Sequence, residues 1–298
     1  MIAKQESSAI QQDNLADLLG KDYNTAMVEA RRYAHIHQPY ELITGALSFD
    51  REHPKGDYTV TVLPNIGVVS RRFTDEELKP IKDEVQELID SDFKGEFHGT
   101  GLVGQIRKEF TLIKSWDHIE NLLMPYAMSM IADNVSLQQG LQRSSRPDAH
   151  LRLESVWVNY QEPGEYNPPH NHSGLLSFVI WIDVPYYSVD ERYSDKSPGI
   201  NSSTNEGGMF KFIYTDVLGH LSHVPLNIDA KANNLMAMFP ASLNHMVCPY
   251  YTSDKRRISV AGNFFWGSKS DLSYKDFRDK RNQEIENMKK ELDEFQKP

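Results

Sequence analysis

The chain has 298 residues, 39% hydrophobic and 25% charged, with a formal charge of −10 from 32 Lys+Arg against 42 Asp+Glu. No apolar run approaches the roughly 20 residues needed to span a bilayer and no dense Lys/Arg block is present, which argues against an integral membrane protein and against sequence-independent nucleic-acid binding. The N-terminus lacks a signal-peptide pattern and the single cysteine, Cys248, has no intrachain partner, so the expectation is an acidic cytoplasmic protein.

The first 40 residues are polar, with helical spacing in Asn14–Leu19 and Tyr23–His35, and they read as an arm on the main body or on a second subunit. Asp57–Leu63 alternates as a half-buried strand does. Thr74, followed three residues later by Glu77, forms a capping box. The helix it opens is expected to reach about Asp90, burying Leu78, Ile81, Val85 and Leu88. A loop punctuated by glycines, Gly95–Gly104, precedes a second helix from about Trp116 to Asn134.

After Pro147 the texture becomes β. Leu151–Gln161, Leu175–Val184, Met209–Tyr214, Leu235–Phe239 and Arg257–Trp266 read as strands, with the polar Val189–Gly208 as a surface loop or lid. Many short strands separated by turn residues predict a jelly roll, and mixed helices ahead of it make the class α+β. The tail from Ser273 reads as a charged helix laid on its own domain, with an apolar seam at Ile285, Met288, Leu292 and Phe295.

Eleven histidines make a chance His-x-His pair cheap. His35 and His37 lie at a helix end, where residues two apart diverge, so they chelate poorly. His170 and His172 stand instead in an extended segment held by Pro168 and Pro169, between two strands. There i and i+2 share a face and can bring two imidazoles to one metal. His245, at a strand end after a turn, supplies a third. Three ligands from two strands leave half an octahedron open, as a catalytic iron requires. Twelve residues later Arg257 and Ser259 share one face of a strand, where a guanidinium fork and a hydroxyl would clamp a carboxylate, with Arg256 pointing outward.

These residues together resemble the 2-oxoglutarate- and iron(II)-dependent oxygenases, built on the double-stranded β-helix. The resemblance is carried by Asn167-Pro-Pro-His170-Asn-His172, the strand Leu175–Val184 ending in Pro185, Phe239-Pro240, His245, Pro249 and Arg257-Ile-Ser259. It covers about residues 150–266. Together with the reading of the flanking residues, the resemblance gives a mainly helical region over 1–149 packed on a cupin-like β-helix core over 150–268, then a charged helix over 269–298, in one structural domain. It also implies Fe(II) at His170, His172 and His245, and 2-oxoglutarate held by Arg257 with Ser259. The activity implied is oxidation of a substrate by dioxygen, as a hydroxylase, with release of succinate and carbon dioxide. The usual ligand set is His-x-Asp/Glu…His. Here His172 replaces the carboxylate, only His170 and His245 bind, or Glu165 or another carboxylate folds in; the first is the expectation.

Asn159, alternating with Trp157 along the strand before the metal segment, is a candidate co-substrate contact, and Trp181 and Tyr160 are candidate walls, although core packing is the default for aromatics in strands. Cys248 reads as a buried inert thiol, and His220 and His223 as surface residues. Two other readings remain: a cupin-type metalloprotein without 2-oxoglutarate, which would not need Arg257, and a non-catalytic jelly-roll module for binding or assembly. The substrate, a small molecule or a protein side chain, has no readable code, and the terminal helices suggest a homodimer.

Overall fold

The computed structural model describes residues 32, 67–99, 102–134, 136–138, 141, 149–216, 218–268 and 274–295. The stretches Asn14–Leu19, Tyr23–His35 and Asp57–Leu63, and with them His35 and His37, lie outside the described residues. In chain order the elements are β1 (Val69–Arg72), α1 (Asp75–Asp90), β2 (Glu109–Thr111), α2 (Trp116–Asp133), β3 (Ala149–Gln161), β4 (Asn167–His170) and β5 (Leu176–Asp183). There follow α3 (Ser188–Tyr193), β6 (Phe210–Thr215), β7 (Leu221–Leu226), β8 (Leu235–Pro240), β9 (Asn244–Val247), β10 (Arg257–Ser268) and α4 (Tyr274–Phe295). Antiparallel pairing assembles a six-stranded sheet, β1-β8-β5-β10-β3-β2, and a four-stranded sheet, β4-β9-β6-β7. Consecutive strands from β3 onward are largely dealt alternately to the two sheets, the pattern of a jelly roll, and the class is α+β.

The large sheet is buried on both faces. Val156, Val158 and Tyr160 of β3 turn toward the helices, and Trp157, Asn159 and Gln161 toward the other sheet, as period-2 alternation requires. Leu151 and Leu153 would then point the wrong way. A register shift between Asn263 and Phe264 of β10, opposite Ser155 and Leu153, resets the alternation and returns both leucines to the helix side. The capping box forms as expected: Thr74 Oγ1 accepts from the Glu77 backbone N–H, and Glu77 Oε2 accepts from the Thr74 N–H. Leu78, Ile81, Val85 and Leu88 are all buried. Glu84 is buried beside them without a cation. Its carboxylate accepts the backbone N–H groups of Ile113, Lys114 and Ser115 and the Ser115 hydroxyl, at 2.6–3.0 Å. An acid on α1 thus supplies the acceptors that the start of α2 lacks.

Two expectations about loops change. Val189–Gly208 is not wholly irregular: it overlaps α3, and Glu191, fully buried, accepts from the backbone N–H groups of Tyr251 and Thr252, so the segment is pinned rather than loose. β7 has no strand signal, because Pro225 and the short run Leu221–Leu226 read as loop; an edge strand tolerates a proline and exposed residues such as Leu221 and His223. α4 is tied to the body by Lys275 to Asp117 and Arg278 to Glu96. The side chains of its expected seam lie outside the described residues.

Candidate metal centre and its cavity

His170 on β4 and His245 on β9 are direct cross-strand partners. His172 lies just past the end of β4, where its backbone N–H donates to Ala241 O at 2.9 Å. The chain then turns at Gly174, whose φ is +110° and where an added Cβ would stand 2.8 Å from Phe264 O. No side chain fits that turn, so the glycine fixes how β4 hands over to β5. One nitrogen of each of the three rings falls within 4.8 Å of the others, and Glu165 is not among this cluster.

The ring orientations suit a metal. His170 Nδ1 lies 2.7 Å from Pro168 O and His245 Nδ1 lies 3.0 Å from Leu243 O. With Nδ1 donating to those carbonyls, each Nε2 carries its lone pair toward the cluster. Burial drives all three pKa values down: His245 to about 3, from desolvation first and then the neighbouring rings, and His172 to about 4, from desolvation and then His170. His170 is also lowered by burial. At neutral pH the set is three neutral imidazoles, with His172 Nε2 only 3.2 Å from His245 Nε2. Lone pairs at that separation repel unless a proton or a cation lies between them. The residues present therefore fit a divalent ion that takes nitrogen ligands. Packing holds them in place: His245 stacks on Phe210 and meets Phe239 edge-on, and His172 lies against Trp157.

The rings open onto a cavity of about 290 Å³ between the two sheets, lined also by Trp157, Asn159, Trp181, Arg257 and Ser259. Register places Arg257 opposite Gln161 and Ser259 opposite Asn159. Arg257 is 3% exposed, and no carboxylate among the described residues lies within ion-pair distance of it. All five of its N–H groups go to neutral acceptors: Gln161 Oε1 twice (2.9 and 2.5 Å), the Tyr186 hydroxyl (2.5 Å), Gly208 O (3.0 Å) and Cys248 O (3.1 Å). The guanidinium also lies over the rings of Tyr186 and Tyr250. Asn159 accepts from Trp157 Nε1 at 3.1 Å and stands 3.4 Å from Ser259 Oγ. Arg256 points outward to Glu162.

Of the remaining expectations, Trp181 lines the cavity and Tyr160 does not. Tyr160 faces the helices and donates to Val85 O, because its parity on β3 is opposite to that of Trp157. Glu165 is occupied by the backbone N–H groups of Arg107 and Glu162. Cys248 is buried, with its thiol pushed up by desolvation, and His220 and His223 are exposed. Three residues escape sequence reasoning. Gln161 continues the Trp157–Asn159 parity and was findable from it. Tyr186, which accepts from Arg257, and His98, a loop residue stacked on Trp157 at 5.0 Å, carry no pattern.

Residues 155–263 match the family model described as "Putative 2OG-Fe(II) oxygenase". No curated protein matches in sequence. Among solved structures, a Pseudomonas putida prolyl-4-hydroxylase is 12% identical, with 68% of this chain and 94% of that one covered at a TM-score of 0.41. AviO1 from Streptomyces viridochromogenes Tue57 is 11% identical, covering 70% and 93% at 0.40. The alpha-ketoglutarate-dependent epimerase SnoN from nogalamycin biosynthesis is 14% identical, covering 67% and 76% at 0.37. At such TM-scores these likenesses add nothing to the assignment, which stands on the family match and on the motifs within it. Over residues 155–263 the chain is similar to the 2OG-Fe(II) oxygenases, the class of enzyme that works with Fe(II), 2-oxoglutarate and dioxygen.

Proposed function

We propose that His170, His172 and His245 hold the Fe(II), that Arg257 with Ser259 binds the distal carboxylate of 2-oxoglutarate, and that the enzyme hydroxylates an organic substrate. The observation that carries this reading is a buried guanidinium without a counter-anion, in the same cavity as three neutral imidazoles. A buried cation satisfied only by neutral acceptors keeps a desolvation penalty that an incoming carboxylate removes. Gln161 Oε1, which takes two of the five N–H groups, is the acceptor whose departure frees a fork of the right shape. Bound iron would supply the activation of dioxygen. The protein's own residues fix the imidazoles through Pro168 O and Leu243 O, orient the co-substrate, and exclude water with Trp157, Phe210 and Phe239. A cytoplasmic setting, with Cys248 reduced, belongs to the same reading. No helix among the described residues is long and apolar enough to cross a membrane.

The test is anaerobic titration of the Fe(II)-loaded protein with 2-oxoglutarate, followed by the weak visible metal-to-ligand charge-transfer band. A saturable band that needs Arg257 supports the proposal. Iron binding without a band would favour the cupin-type reading, and no iron binding would favour a jelly-roll module without oxygen chemistry.

A further inference from the structure

β2 closes the edge of the large sheet, with Glu109 opposite Asn159. Cross-strand partners share a face, so Glu109 stands on the cavity side next to a residue that lines the cavity. The loop ahead of β2 covers it. Gly99 lies so close that an added Cβ would be 2.9 Å from Glu109 Oε2, and His98, Leu102 and Val103 of the same loop line the cavity. Glu109 is 3% exposed, yet its Oε1 has no hydrogen-bond partner among the described residues. The neighbouring cations are turned elsewhere: Arg107 extends toward Glu165, and Lys108 reaches Glu162 and the Phe93 ring. Burial first, then repulsion from Glu165, pushes the Glu109 carboxyl up to about 7, as befits an acid with nothing to offset its charge. Asn167, against the same loop at Gly104 and lining the cavity, also has a buried oxygen, Oδ1, without a partner among the described residues. Each unmet buried acceptor is destabilising. Two of them under one loop mark a place where donors are supplied from outside the chain.

We propose that Glu109, with Asn167 against the same loop, receives a cationic nitrogen of the substrate, an ammonium or guanidinium group that enters beneath the loop residues His98, Gly99 and Leu102–Gly104. This rests on the oxygenase reading and gives its substrate a chemistry: the enzyme acts on a basic amine, free or carried as a peptide side chain. Arg257 and Glu109 then divide the work, the first taking the anionic co-substrate and the second the cationic substrate.

The test is calorimetric titration of the protein loaded with Mn(II) and 2-oxoglutarate under anaerobic conditions. The probes are L-lysine, L-arginine and Nα-acetyl-lysine methylamide, against neutral L-norleucine and L-citrulline. At least one cationic probe should bind tenfold or more tightly than its neutral counterpart, and the acetylated probe separates a free amino acid from a peptide side chain. Glu109→Gln should erase the preference without weakening 2-oxoglutarate binding, and Glu109→Asp should keep it. Equal binding of neutral and cationic probes, an unchanged preference in Glu109→Gln, or no binding of any cationic probe would overturn the proposal. The wild-type preference decides even if the variants fold poorly. The same titrations on metal-free protein keep this question apart from the metal and co-substrate reading, which falls separately if Mn(II) or 2-oxoglutarate does not bind.

Discussion

Replacing Arg257 by methionine separates the two jobs an arginine in this place can have. Methionine keeps much of the volume and removes the charge and all five donors. Those donors serve four acceptor groups, those of Gln161, Tyr186, Gly208 and Cys248. Leaving each unmet costs about 1–3 kcal/mol. Against this, the variant no longer buries a cation without a counter-ion, a penalty of several kcal/mol. The two roughly cancel, so the ligand-free variant should unfold within a few degrees of wild type. Binding should not be spared: losing one partner of a buried charge-assisted contact costs about 2–5 kcal/mol, or about thirtyfold to a few thousandfold in Kd. The assay is thermal unfolding with Mn(II), with and without 2-oxoglutarate at about 100 times the wild-type Kd. Wild type should gain about 2.7 kcal/mol, roughly 5–10 °C. The variant should gain about 3 °C or less. An Arg257→Met protein that keeps the full 2-oxoglutarate shift would refute the anion-site reasoning, whatever its own stability.

Three further outcomes are expected. His172→Ala should weaken Mn(II) affinity by about 100-fold or more, whereas His172→Asp, which restores a carboxylate to the ligand set, should bind at least as tightly as wild type; wild-type affinity in His172→Ala by calorimetry would favour two protein ligands. Gly174→Ala should cost about 1–3 kcal/mol and weaken metal binding, because the turn needs positive φ and the added Cβ meets Phe264 O; an unaltered denaturation midpoint and metal affinity would contradict it. The metal-free protein should lose stability in acid. His172 and His245 have folded pKa values of about 4 and about 3, below the ordinary 6.5. Below pH 6.5 the unfolded chain takes up protons that the folded one refuses, at about 1.4 kcal/mol per pH unit for each ring. Glu109, raised to about 7, works in the opposite sense between its ordinary 4.5 and 7. Glu109→Gln should therefore steepen the loss between pH 6.5 and 4.5, and urea unfolding across that window checks the sign.

The jelly roll and the clustering of His170, His172 and His245 were legible because each depends on a local rule. Extended backbone puts i and i+2 on one face, which brought His170 and His172 together and paired Arg257 with Ser259; the two prolines before His170 kept that stretch extended. The helix after Thr74 was legible for the same reason, its cap and its buried stripe lying within four residues of one another. What failed was either parity or tertiary contact. Tyr160 is a candidate wall against a default of core packing, and the default holds, because it is one residue out of phase with Trp157 and Asn159. β7 hid behind Pro225, and α3 behind a polar composition that says nothing of Glu191, whose partners lie about 60 residues away. Glu84, Tyr186 and Glu109 could not have been found from spacing, since each matters through groups on distant segments.

Charge is where those local and distant features meet. A carboxylate in the place of His172 would cancel one unit of a divalent ion's charge; three neutral imidazoles cancel none, and buried Arg257 adds another of the same sign. A divalent ion and Arg257 together would leave this part of the cavity at +3, and a dianionic co-substrate lowers that to +1. Anion binding is then part of what makes the metal site tenable, which explains why the one guanidinium in the cavity is held by neutral groups that can yield rather than by a carboxylate that would compete. Glu109 stands on the far side of β3 from β10, and with its carboxyl pushed up to about 7 it is protonated in about half of the molecules at neutral pH. Its raised pKa halves the negative charge it sets near the anion site when no cation is present, and the proposed cationic substrate would draw it to the charged form.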